Sequence, residues 1–581
     1  MANYVVTENS RKKLLIKSLE NLGETYAFVG KYEEALDIFQ KMLRYAERNH
    51  LIIAKSKIKI AGIYDNQGKI DDAMNLLLNA EKIVNKKFPR CPRGIVDELE
   101  IELLKINIHF SKAWIYFLQG QNQAAIDSSQ KGVALINNLE RRSIIGLNAH
   151  EYNYKIQTAK IVGLNTLGTV FFNKGKYNKA IEVRHKALKI SKKIGNKFGV
   201  SVAIGHLGNL YHEAGNYDKA KMLYQRKLEI STEIGDKEGI GIANAYLGFI
   251  YQDRFDHNKA IEYYQEYLRI MMEIGDKRGI GMASEFLGSI YYEAGDYDKA
   301  IKLYKKSIKI AEQTGDRQGI AYVSGDLGLV YLNRGDYRRA KGLLQKLSRI
   351  SEEIGDKKGI GMASLHLAEI FLNSNQTAKA RHYLLKSKSI FKEIGYKQGL
   401  LDTYLALTEL EMKISEKRLA GEDDDARSIA KDGPVIRVRR FDKKTFHYFA
   451  LASRLVRELK SKKGKAQVML LKARIGMAKT QSNREIKGQT DEKFKEAIKI
   501  FEELRQPFEL AKAYYYYGEY LLRRTEVRDK IPRPFGERAG VRGQEEEKGA
   551  TEYLQKAKEI FEKIGAKFWF KKVNELWNQV K

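Results

Sequence analysis

Proline is nearly missing from this chain: six occur in 581 residues, and none falls between Pro92 and Pro434. Without an obligatory breaker, that whole stretch is free to be helix. Cysteine is scarcer still. Cys91 stands alone, which excludes an internal disulfide, and no Cys/His group has the spacing of zinc ligands. Neither a disulfide framework nor a structural metal is expected, and a reducing, cytoplasmic setting suits the composition. Runs of about eighteen apolar residues are also missing. The leading MANYVVTENSRKK has no apolar core and no small-residue cleavage site, so no membrane span and no secretion signal are expected.

What is present suffices for a folded chain. Hydrophobic residues make up 43% and charged residues 30%, which is too apolar for a disordered polymer. A single core stops growing well before this length, leaving several domains or one elongated repeat array. A period of about 40 residues, in the range of helical solenoids, decides for the array. It aligns the chain without a gap from Ile161 to Leu400.

Leu167-Gly168, Leu207-Gly208, Leu247-Gly248, Leu287-Gly288 and Leu327-Gly328 share one column, continued by Leu367-Ala368. One helical turn beyond each Leu stand Phe171, Tyr211, Tyr251, Tyr291, Tyr331 and Phe371, followed by Ala180, Ala220, Ala260, Ala300, Ala340 and Ala380. The Leu and the aromatic point the same way from a first helix, and the small positions let a second helix approach closely. Gly175, Gly215, Gly295 and Gly335 fall where the first helix must turn back. Gly195, Gly235, Gly275, Gly315, Gly355 and Gly395 close the second. Asn196, Asp236, Asp276, Asp316 and Asp356 follow directly, suited to accept from the free N–H groups that open the next helix, and Tyr396 breaks that column. A helix pair of this size cannot bury its apolar face alone, so neighbours must stack.

These columns resemble the tetratricopeptide repeat, in the longer form with an I-G-D-K-x-G turn found in spindle-orientation scaffolds of the Pins type and in bacterial signalling arrays. The resemblance is specific over 161–400. It is looser over 1–160, where Leu22-Gly23, Tyr26, Gly30, Tyr32 and Ala35 make one unit, Ala61-Gly62, Gly68 and Ala73 another, and Ala113, Tyr116, Gly120 and Ala124 a third. Over 401–581 it resumes in FKEAIKIFEEL and ELAKAYYYYGEYL. The resemblance implies an all-α fold: a right-handed α-solenoid, or superhelix, of about twelve helix pairs with a C-terminal capping helix, Trp569 and Trp577 covering the exposed core. Three regions follow: degenerate N-terminal units over 1–160, the regular array over 161–400, and degenerate C-terminal units over 401–581. Solvated loop insertions are expected near 415–436 and 528–548, where Gly, Pro and charge replace the apolar period.

Formal net charge is +31, which raises nucleic acid as a partner. The repeats between 201 and 360 are nearly neutral, however. The excess concentrates between Arg437 and Lys479, where only Asp442 and Glu458 oppose it. A solvated basic helix face accounts for that stretch better than a phosphate-binding patch, and no nucleic-acid motif accompanies it.

No constellation calls for catalysis. A G-x-x-x-x-G-K-[ST] phosphate loop is lacking, and the G-I-G of Gly239 to Gly241 and Gly279 to Gly281 recurs with the helical period and follows no strand. His212-Glu213 lacks the second His of a zinc-protease helix, and the remaining histidines are scattered singly. No enzyme activity, catalytic residue, cofactor or metal is expected.

In the family that the repeats resemble, the first helix of each pair lines a concave groove, and positions beside the Leu-Gly pair and one turn onward meet the ligand. Carried onto this chain, they hold Asn165, Thr169 and Asn173, then His206, Asn209 and His212, then Tyr246, Phe249 and Gln252. The following units hold Glu285, Ser289 and Tyr292, then Asp326, Leu329 and Asn333, then His366, Glu369 and Asn373. The resemblance thus implies a non-catalytic scaffold or adaptor that holds a protein or peptide segment, since a mixed polar and aromatic wall suits a peptide's backbone and side chains. Two other readings are compatible with the sequence. One is a sensor module separated from a larger bacterial signalling ATPase or kinase, because such arrays end in an A-x-x-x-L-x-x-A-x-x-I-F-x-x-I-G-A run. The other is nucleic-acid binding through 437–479.

Overall fold

A computed structural model describes residues 8–28, 31–47, 49–67, 69–86, 95–119, 121–141, 149–173, 177–213, 216–420, 441–459, 461–477, 484–529 and 541–578. Among the described residues the regular elements are 25 helices, with no strand. Consecutive helices pack on one another from Glu8–Phe28 to His257–Ile274 and again from Tyr337–Glu353 to Lys567–Trp577, so the fold is an all-α solenoid of stacked helix pairs. None of the described helices is long and apolar enough to cross a membrane.

The Leu-Gly column explains how a pair closes. In the pair Lys197–Glu213 and Tyr217–Glu233, a Cβ added to Gly208 would lie 2.4 Å from Cε1 of Tyr224. In Lys237–Asp253 with His257–Ile274, one added to Gly248 would lie 2.4 Å from Cε1 of Tyr264. Real Cβ atoms do not approach so closely. The absent side chain is the notch into which each tyrosine buries.

Turn chemistry follows the predicted columns with one exception. Gly275, at φ 73°, ends His257–Ile274 in the left-handed region that glycine enters without a steric cost. Asn196, Asp236, Asp276 and Asp316 each accept from the backbone N–H three residues on, at 2.8–2.9 Å. Asp356, expected to do the same, makes no such side-chain bond. A second capping set, not anticipated from the sequence, opens the other helix of four pairs: Asn216, Asp256, Asp296 and Asp336. Gly295 and Gly335 hold positive φ as expected, whereas Gly175 and Gly215 lie outside the described residues.

Contacts divide the chain into two compact units, Met1–Leu287 with Lys305–Ile320, and Gly288–Tyr304 with Ala321–Lys581. Within the first, the N-terminal helices fold back onto later repeats. Tyr32, Phe39 and Met42 share a buried cluster with Tyr267, Ile270, Met271 and Ile274. Two polar contacts edge it, Arg278 to Asp65 at 3.1 Å and the Tyr32 hydroxyl donating to Glu238 at 3.3 Å. Within the second, Trp569 on the C-terminal helix Lys567–Trp577 is buried among Phe508, Tyr515, Tyr516 and Phe561. Phe568 beside it meets Tyr337 edge-on.

Helix intrudes on both expected loops. Helix Lys397–Ala420 runs past 415, because Met412 is buried and the Ser415 hydroxyl bonds back to the Glu411 carbonyl. Helix Val541–Lys563 starts inside the second expected loop. The remainder, 421–440 and 530–540, lies outside the described residues.

Candidate functional site

In the first unit, five helices converge on one cavity of about 520 Å³: Ile95–Leu118, Ala149–Asn173, Tyr177–Lys193, Lys197–Glu213 and Lys237–Asp253. Five sequence-predicted positions line it, Asn165, Thr169, His206, Asn209 and Tyr246. Between them the wall is apolar, built from Trp114, Ile161, Val162, Phe172, Phe198 and Val202. An apolar hollow with a few convergent polar groups, of a size between about 300 and 1,000 Å³, is the usual form of a ligand site.

The polar groups are held from behind. The Tyr224 hydroxyl, passing the Gly208 notch, donates to Asn209 Oδ1 at 2.7 Å. On its other side Asn209 hydrogen-bonds the Tyr246 phenol, whose pKa burial raises and this bond lowers in part. The Tyr224 and Tyr246 rings lie 4.8 Å apart. Asn209 therefore has a fixed orientation before any ligand arrives. Thr169 donates to the Asn165 carbonyl at 3.2 Å, while the Asn165 Oδ1 is buried without a partner.

The residue that the sequence reading missed is Arg184, on helix Tyr177–Lys193. It occupies the column of Tyr224, Tyr264 and Tyr304, and like them it is buried, at 2% exposure. Its stem passes Gly168, where an added Cβ would lie 2.8 Å from Nε. Nη1 donates to the His206 carbonyl at 2.8 Å, Nη2 reaches Thr169 Oγ1 at 3.5 Å, and the guanidinium lies 5.8 Å from the Phe172 ring centre. Nε has no partner, and among the described residues no carboxylate pairs with this cation. Burial lowers its pKa to about 10, which leaves it charged at neutral pH. His206 is pushed well below the usual range by burial and then by Arg184 and Lys227, so its imidazole is neutral. The one legible signal was the break in a tyrosine column.

The other predicted positions fall elsewhere. His212 meets Tyr217 edge-on and lies 6.4 Å from Phe249, which packs on Phe286. Gln252 accepts from the Tyr264 hydroxyl at 2.8 Å, and Glu285 stands half-buried on helix Lys277–Glu293. Asn173 ends its helix, and its side chain lies outside the described residues.

In the second unit, Asn333 donates to the Tyr292 hydroxyl at 3.0 Å, and Ser289 and Leu329 are half-buried. Asp326 is raised to about 6 by burial, against the pull of His366. His366, 3.4 Å from Glu369, stays above its ordinary value although burial lowers it, because Glu369, Asp402 and Asp326 stabilise its charge. Asn373 hydrogen-bonds the Tyr337 phenol.

The basic stretch is partly consumed by structure. Arg474 pairs with Glu409 at 2.9 Å and lies 4.0 Å from the Tyr516 ring centre, and Lys465 pairs with Glu496 at 3.0 Å. Glu458 is held by Lys397. Arg437, Arg439 and Arg440 lie outside the described residues. Among the described residues no group of three or more His, Cys, Asp or Glu could hold a metal ion.

Family models described as tetratricopeptide repeat match residues 161–233, 240–313, 280–353 and 18–49. A search of curated proteins found no match. Among solved structures, a Rap protein complexed with competence and sporulation factor aligns at 14% identity, covering 70% of this chain and 98% of its own, with a TM-score of 0.46. Aspartyl phosphate phosphatase F from Bacillus subtilis aligns at 12% identity, 67% and 96% coverage and a TM-score of 0.38. A signal transduction ATPase with numerous domains and a tetratricopeptide-repeat sensor, from Pyrococcus horikoshii, aligns at 18% identity, 65% and 56% coverage and a TM-score of 0.32. At these scores none of the three lends this chain a partner or an activity.

Proposed function

Because the chain is a tetratricopeptide-repeat protein, we propose that it is a non-catalytic scaffold or adaptor that holds a peptide segment of a partner protein, with the cavity of the first unit as its principal contact. The observation that supports this reading is the convergence of Asn165, Thr169, His206, Asn209 and Tyr246 on one apolar hollow of about 520 Å³. Apolar walls supply the affinity for side chains, and the oriented amides and phenol supply hydrogen bonds to a backbone. The positions His212, Phe249, Gln252 and Glu285, and in the second unit Ser289, Tyr292, Asp326, Asn333, His366, Glu369 and Asn373, extend the same inner columns and are proposed as secondary contacts.

The test is a charge placed on the cavity wall where folding tolerates it. Val162 lines the cavity yet is 48% exposed, so Val162→Asp leaves the helix pair intact. Partners captured from a native lysate by the wild type, identified by mass spectrometry and reduced to their binding segments, are expected to lose at least tenfold in affinity for Val162→Asp. The far-UV circular dichroism of variant and wild type is expected to match. Undiminished binding of every captured segment would remove the cavity from the mechanism.

A further inference from the structure

The turn that opens each first helix of the regular array has one position whose residue changes from repeat to repeat. It follows the lysine or arginine of the turn and holds Phe198, Glu238, Arg278, Gln318, Lys358 and Gln398 in six successive repeats. The first three of these each meet the N-terminal helices. Phe198 packs edge-on against Phe28 with ring centres 6.1 Å apart, Glu238 accepts from the Tyr32 hydroxyl at 3.3 Å, and Arg278 Nη2 donates at 3.1 Å both to the Asp65 carboxylate and to the Asp65 main-chain carbonyl. An apolar, an acidic and a basic residue in one column thus match a phenyl ring, a hydroxyl and a carboxylate on helices Glu8–Phe28, Tyr32–Tyr45 and His50–Asn66 in turn. Two of these contacts reach the cavity. Phe198 lines it, and so does Trp114, whose indole N–H donates to the Asp65 carboxylate. An acid in the last turn of a helix is opposed by the helix dipole, and burial adds to the cost by raising the pKa of this one. Arg278 and Trp114 offset that cost together, so Asp65 joins the closure of the N-terminal repeats to the wall of the cavity.

We propose that Asp65, gripped by Arg278, is a positioning residue for the cavity: it fixes the Trp114 indole in the wall, so that the site is complete only while the N-terminal repeats are closed onto the later ones. The inference rests on the scaffold reading above and adds the regulation of its site. Opening the clasp takes the acceptor away from Trp114 and the neighbouring ring away from Phe198. A ligand that needs both side chains in place is therefore bound most tightly by the closed form. Linkage makes the effect mutual, so that an occupied cavity holds the N-terminal repeats shut.

The experiment uses the full chain labelled with fluorotryptophan, whose three tryptophans give three fluorine resonances, that of Trp114 being assigned with Trp114→Phe. Arg278→Gln introduces the residue that the same column holds at Gln318 and Gln398, so the repeat keeps its fold. It is expected to shift the Trp114 resonance and to leave those of Trp569 and Trp577 in place. Asp65→Ala should shift the same resonance, and Asp65→Asn, which keeps an acceptor for the indole, should shift it less. Segments captured by the wild type are expected to bind Arg278→Gln and Asp65→Ala about fivefold or more weakly, and to slow amide exchange of His50–Asn66 in the wild type. A lowered melting temperature with an unmoved Trp114 resonance would make the pair merely structural and overturn the inference. A shifted resonance with undiminished affinity would overturn it too. If no segment binds the wild type, the scaffold reading falls and the dependence of binding on the clasp falls with it, while the resonance still decides whether Asp65 positions Trp114.

Discussion

A methyl group added at Gly248 tests the packing logic of the array. The new Cβ would sit 2.4, 2.7 and 3.0 Å from Cε1, Cδ1 and Cζ of Tyr264, a ring with no exposed surface. The ring must move, and moving it stretches the 2.8 Å bond from its hydroxyl to Gln252. Overpacking of a tight core costs about 1–3 kcal/mol, and a compromised buried hydrogen bond about 1 kcal/mol more. Alanine's better helix propensity returns about 1 kcal/mol, so Gly248→Ala should destabilise by about 1–3 kcal/mol. Gly342 is the control. It too lies inside a helix, Tyr337–Glu353, but a Cβ there meets nothing within 4 Å, so Gly342→Ala should stabilise by about 0.5–1 kcal/mol. A repeat array need not unfold in one step. The readout is therefore the urea midpoint followed by circular dichroism, together with amide exchange over 237–274. The partner change is Tyr264→Leu, borrowed from the repeat where a Cβ at Gly328 would clear Leu344 Cγ by 3.2 Å. In that background the penalty of Gly248→Ala should vanish. If Gly248→Ala and Gly342→Ala shift stability equally, or if Tyr264→Leu gives no relief, the notch argument is wrong.

Caps, one buried carboxyl and the C-terminal aromatic cluster give three more expectations. Asp276→Ala and Asp316→Ala each remove a side-chain cap and should cost about 1 kcal/mol, measured by urea unfolding, with Asp356→Ala costing less because that carboxylate makes no cap bond. Burial, aided by Asp276 and Asp236 and opposed by Tyr32 and Lys227, lifts the Glu238 carboxyl to about 7, above an unfolded value near 4.3. The folded state therefore holds the extra proton between those values, and stability falls as pH rises through that window. Amide exchange of helix Tyr32–Tyr45 should accelerate accordingly in the wild type and much less in Glu238→Gln. Trp569→Ala empties an aromatic cluster at the C-terminal end of the second unit and should cost about 3–5 kcal/mol, seen as new protease cleavage within Val541–Lys563 and Lys567–Trp577.

Much of the fold was legible because the repeat writes the same physical constraint many times. A glycine opposite Tyr224 and another opposite Tyr264 are one solution used twice, and their spacing betrays a helix pair from the letters alone. Capping was legible at Asn196, Asp236, Asp276 and Asp316 for the same reason, while Asp356 shows that a matching residue type does not guarantee the bond. Loop limits were less legible. Composition sets the insertions at 415–436 and 528–548, but a backbone already in helix continues while its next turn still finds partners, as Ser415 does.

The sequence by itself determined the helix pairs and the small-residue columns along which they close, since these depend on local spacing and on small side chains at fixed intervals. Only tertiary structure decided which of the positions implied by the family resemblance share a cavity, and that Asn209 is committed to Tyr224 and Tyr246 before any ligand binds. It also decided that the N-terminal helices close onto residues 238–283, a contact between segments some 200 residues apart that no periodicity encodes. Arg184 lies between the two kinds of information. Its letter breaks a column in plain view, but its meaning, a buried cation with no counter-charge among the described residues, depends on what the fold leaves out of reach.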